Sequence, residues 1–65
     1  MDFKPKDRVE YCPPGKTNNG KTESGTISSV NGEYAFVKFD ATVERLGWSE
    51  TTAQAVNFSH LKKIL

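Results

Sequence analysis

Sixty-five residues with nine basic and eight acidic side chains and a formal net charge of +1 fit one small soluble domain. The single cysteine, Cys12, and the single histidine, His60, exclude an internal disulfide and a zinc-ligand cluster. The near-neutral balance argues against a dedicated nucleic-acid binder, which gathers far more positive charge.

The N-terminal stretch Met1–Lys6 carries no apolar segment of the kind a cleaved signal needs, and no long apolar run follows. The expectation is therefore a cytoplasmic protein without membrane association, and the lone thiol suits that compartment. Asn57-Phe58-Ser59 matches an N-glycosylation sequon, which without export is a chance match.

Along the chain, Asp7-Arg8-Val9-Glu10-Tyr11 alternates apolar and charged residues and predicts a half-buried strand. Pro13-Pro14-Gly15 ends it, because proline cannot donate to a ladder and fixes φ. Residues 12–24 are small, polar or charged, and predict a long mobile loop. Gly25–Val30 predicts a second strand running into Asn31-Gly32, the dipeptide that favours a type I′ hairpin. The return strand is Glu33–Phe39, with Ala35, Val37 and Phe39 toward the core and Tyr34, Phe36 and Lys38 on the opposite face. Asp40–Glu50 reads as a second loop that contains Trp48, and no segment shows sustained helical periodicity. Thr51–Val56 predicts a fourth strand. Asn57–Leu61 predicts a 3₁₀ turn capped by Asn57 or Ser59, and Lys62–Leu65 a short closing strand.

The first loop carries a nucleotide motif by letter. Gly15-Lys16-Thr17-Asn18-Asn19-Gly20-Lys21-Thr22 satisfies G-x-x-x-x-G-K-[ST], whose glycine-rich backbone cradles phosphates. That chemistry needs a helix opening directly after the loop, because the helix N-terminus supplies donors and a favourable dipole. The continuation Glu23-Ser24-Gly25-Thr26-Ile27-Ser28-Ser29-Val30 favours a strand, so no nucleotide-binding site is expected.

Taken together, the pattern resembles the SH3-like small barrels, including the KOW and Tudor groups. The likeness rests on Asp7-Arg8-Val9, Gly25-Thr26-Ile27, Phe36-Val37-Lys38-Phe39-Asp40 and Phe58-Ser59-His60-Leu61. The resemblance implies a single all-β domain over residues 1–65, a five-stranded barrel with one 3₁₀ turn before the last strand. The order of motifs is also similar to that of short uncharacterised barrel proteins of temperate bacteriophages and prophages of enteric bacteria. That similarity implies a bacterial host cytoplasm and assigns no activity.

No catalytic, metal or cofactor site is expected. Ser59 and His60 are neighbours that cannot easily address one substrate atom, and a Cys12–His60 dyad, which the sequence alone leaves open, normally needs a larger scaffold with an oxyanion hole and an orienting third group. The aromatic residues offer more. Tyr34, Phe36 and Trp48, framed by Lys38 and Arg8, form the candidate partner-binding set, because exposed aromatics between loops serve peptide segments or unstacked bases. The competing role for them is to cover the ends of the barrel or to fill a second small core beneath the long loops, with Trp48 pinning the second loop to the barrel. The expected function is a non-enzymatic module for a protein partner. The alternative is a nucleic-acid-binding accessory protein using Arg8, Lys38, Lys62 and Lys63 on phosphates. Either is compatible with a homo-oligomer joined through Lys62–Leu65 or through the aromatic face.

Overall fold

The computed structural model describes residues 3–13 and 22–64. Five strands, β1 (Arg8–Tyr11), β2 (Glu23–Asn31), β3 (Tyr34–Phe39), β4 (Gln54–Asn57) and β5 (Leu61–Lys63), form one antiparallel sheet. A short helix α1 (Asp40–Leu46) follows β3, and a 3₁₀ turn (Phe58–His60) precedes β5. The all-β reading holds, and the expected strands all appear with ends shifted by up to three residues at their starts.

The strand order is β4-β3-β2-β1-β5, so β4 and β5 are the two edges and the sheet is not closed. Its curl follows from connectivity. Five flat strands would separate the edges by roughly 19 Å, at about 4.8 Å per neighbour. Yet only the turn Phe58–His60 lies between Asn57 of β4 and Leu61 of β5. Four residue steps in 3₁₀ geometry cover about 8 Å, so the sheet must fold the edges toward each other at that end. A register shift between Ile27 and Ser29 supplies part of the bend.

The alternation of β3 sorts its residues as expected. Ala35 and Val37 are fully buried, together with Val9 and Ile27, and Val56 and Leu61 complete the buried core. Phe3, Tyr11, Phe39 and Phe58 pack against that cluster from its rim. Phe3 stacks on Phe58 with centroids 5.2 Å apart, and Tyr11 meets Phe39 edge-on at 5.8 Å. Gly25 is buried opposite Phe39, where an added Cβ would lie 2.8 Å from the Lys38 carbonyl oxygen and from Val37 Cγ1. Only glycine permits β2 and β3 to approach this closely.

Three expectations are corrected. The hairpin loop is Gly32-Glu33, because Asn31 still pairs with Tyr34. Of the loop residues only Gly32 has positive φ, at 60°, which is the φ pattern of a type II′ turn rather than I′. Residues 40–50 are not all loop: α1 occupies Asp40–Leu46. Two turns are too short to display periodicity. The helix buries none of its side chains, and its N-cap, Phe39, gives no side-chain hydrogen bond. What marks it are Ala41, Glu44, Arg45 and Leu46, good helix formers, and Gly47 at the stop with φ 87°. Finally, β2 begins at Glu23, so Glu23 and Ser24 leave the first loop; residues 14–21 of that loop lie outside the described residues.

The N-terminal arm reaches β1 through a turn in which the Asp7 N–H donates to the Lys4 carbonyl at 3.1 Å. Pro5 occupies the second position, and Lys6 takes φ 78° in the third, where glycine is usual.

Candidate partner-binding face

Tyr34, Phe36 and Lys38 project from one face of β3 because side chains alternate along a strand. Tyr34 is 48 % exposed and Trp48 44 % exposed, whereas Phe36 is half-buried. Other aromatics, namely Phe3, Tyr11, Phe39 and Phe58, pack against the buried core cluster. By strand rise, Tyr34 to Lys38 spans about 13 Å of the face.

Trp48 joins this row through Lys38. The Lys38 ammonium donates to the Trp48 carbonyl oxygen at 2.8 Å and lies 4.4 Å from the centroid of its ring. One side chain thus fixes both the backbone and the ring of Trp48. The loop itself is tied by Thr51, which is buried. Its N–H donates to the Trp48 carbonyl at 3.2 Å, and its hydroxyl to the Gly47 carbonyl at 2.7 Å. Nothing in the sequence marks Thr51 for this role, since a lone threonine at a loop end gives little to find it by.

Arg8 lies on the same face, two strands away. Thr26 pairs with Arg8 on one side and with Lys38 on the other. Its guanidinium is engaged, however. Nη1 and Nη2 each donate to one Asp40 carboxylate oxygen at 2.7 Å, and Nη1 also donates to Thr26 Oγ1 at 2.9 Å. The Ser24 hydroxyl donates to Asp40 at 2.9 Å. The Arg8 guanidinium, aided by the Ser24 hydroxyl and opposed by burial, holds the Asp40 carboxyl below its ordinary value of 3.8. This forked pair fastens the start of α1 to β1 and β2. Asp40 was therefore a positioning residue that the sequence did not single out, since its partner lies 32 positions away.

Of the two β5 lysines, Lys63 is engaged in part. Lys63 Nζ lies 3.5 Å from Asp7 and 5.9 Å from the centroid of the Phe3 ring, and Lys62 stands opposite Glu10. The Lys4 backbone N–H, opposed by desolvation and aided by Lys63, holds the Asp7 carboxyl below its ordinary value.

The nucleotide motif falls mostly on residues 15–21, outside the described residues. Its last member, Thr22, donates its hydroxyl to Glu10 Oε2 at 2.6 Å, and the chain continues into β2 as expected rather than into a helix. Cys12 and His60 meet through the backbone, the Cys12 N–H donating to the His60 carbonyl at 2.8 Å, while the His60 ring lies edge-on to Tyr11. Among the described residues no pocket forms, so any recognition on the aromatic row takes place on an open face. No helix among them is long and apolar enough to cross a membrane. Compared with known protein families, with curated proteins and with solved structures, the chain matches none.

Proposed function

We propose that this protein is a non-enzymatic binding module, an SH3-like small barrel of bacteriophage or prophage type, that recognises a protein partner in a bacterial cytoplasm. The barrel reading draws support from the strand order, the bend in β2 and the short 3₁₀ link that brings the sheet edges together. The observation that carries the function is the row Tyr34–Phe36–Lys38–Trp48. Its aromatic members stay on the open face while other aromatics finish the core. Amphipathic, semi-rigid aromatic side chains give contact area at low entropic cost, which is what a protein-recognition surface uses.

Protein rather than nucleic acid is favoured by the state of the cations. Arg8 is forked onto Asp40, Lys38 onto Trp48, and Lys63 sits beside Asp7. Phosphate recognition would have to break these contacts or proceed without them. The test uses tagged wild-type protein and a Tyr34→Ala/Trp48→Ala variant as paired baits in lysate of enteric bacteria carrying prophages. A partner retained by wild type and lost by the folded variant supports the reading. Equal retention by both, or salt-sensitive binding of single-stranded DNA or RNA oligonucleotides that survives in the variant, overturns it.

A further inference from the structure

The two edges of the sheet differ in charge. Every other strand carries at least one charged residue: Arg8 and Glu10 in β1, Glu23 in β2, Lys38 in β3, Lys62 and Lys63 in β5. The edge strand β4, Gln54-Ala55-Val56-Asn57, carries none, and the run Thr51–Asn57 leading through it is likewise uncharged and free of proline. Edges are normally blunted by such residues, as lysines blunt β5.

The hydrogen-bond register decides which groups of β4 face outward. The Phe58 N–H donates to the Glu33 carbonyl, and the same register pairs Ala35 with Val56 and Val37 with Gln54. Bonded and non-bonded pairs alternate in an antiparallel ladder, so Val56 and Gln54 spend their backbone groups on β3. Ala55 then directs its N–H and C=O to the open edge, and Asn57 its N–H. The Ala55 side chain is small and sits beside Phe36 on the aromatic face.

We propose that β4 is the self-association edge of this protein, pairing antiparallel with β4 of a second copy about a two-fold axis at Ala55. An isologous contact requires a strand that is complementary to itself. The β4 edge qualifies, since no like charges meet across the axis and Ala55 can exchange both backbone bonds with its counterpart. Pairing β5 with itself would instead bring lysines together. Because the axis runs through the sheet, the aromatic rows of both copies lie on one side, giving a two-site surface. The association stands independently of what that surface binds.

The test is sedimentation of the full chain across a concentration series, beside an Ala55→Lys variant whose fold is checked by circular dichroism. The expected result is a two-chain mass at high concentration, with the lysine variant weakening association by tenfold or more. In wild type, exchange of the Ala55 amide should slow with rising protein concentration, a readout that needs no variant. A one-chain mass up to millimolar concentration overturns the proposal. So does a dimer that Ala55→Lys leaves intact, or an Ala55 amide whose exchange ignores concentration.

Discussion

The two faces of the sheet do different work with the same strands. On the inner face, the side chains of Val9, Ile27, Ala35 and Val37 are fully buried and contribute to the fold by packing. On the outer face, Arg8, Thr26, Lys38 and Asp40 are held by directed polar contacts, and Tyr34 and Trp48 remain open to solvent. Packing is unforgiving of lost volume, whereas exposed ion pairs and rings contribute little to stability. The difference teaches where selection for a partner can act without undoing the fold.

The sharpest way to break this contrast is at the inner face. A domain of this length has a stability of about 3–10 kcal/mol. Ile27→Ala should remove about 2–5 kcal/mol of it, leaving a protein that melts early or is largely unfolded in thermal and urea denaturation. Next comes Gly25→Ala, where the new methyl group meets a backbone carbonyl and Val37. A cost of about 1–3 kcal/mol is expected by chemical denaturation, as for other overpacked sites.

The outer face should respond more weakly and in a different way. Asp40→Asn removes the fork to Arg8 but leaves a hydrogen-bonding amide. Both partners are partly exposed, with side-chain accessibilities of 47 % and 33 %. After solvent screening the loss should be about 0.5 kcal/mol at neutral pH. Its signature is pH dependence. The folded-state value of Asp40 is depressed, so its contribution is present above the unfolded value near 3.8 and is lost as pH falls through the lower folded value. The variant should therefore show a flatter acid limb, with a contribution left from Asp7, which is depressed in the same direction.

Much of the inner face was legible because it is written in local alternation. Val9 and Tyr11, or Ala35 and Val37, declare their side by the residues between them, and the cap of the short turn is narrowed to Asn57 or Ser59. Asn57 Oδ1 indeed accepts from the Ser59 N–H at 2.9 Å. The outer face was legible in composition only. That Tyr34, Phe36 and Lys38 share a side follows from period two, but the clasp of Lys38 on Trp48 joins residues ten apart across a helix. The fork between Arg8 and Asp40 depends on β1 and the β3–α1 junction meeting through β2, a three-strand relation that no local pattern encodes. The helix itself stayed hidden because it is short and anchored by that distant fork instead of by a buried stripe.

The most direct test of the account pairs stability with recognition in Tyr34→Ala/Trp48→Ala. The account predicts a denaturation free energy within about 1 kcal/mol of wild type, since exposed rings and a surface cation–π contact contribute little. It predicts at the same time loss of the partner that wild type retains. A drop of about 2 kcal/mol or more would show that these rings hold the fold. Undiminished retention of the partner by the variant would equally contradict the division of labour between the two faces.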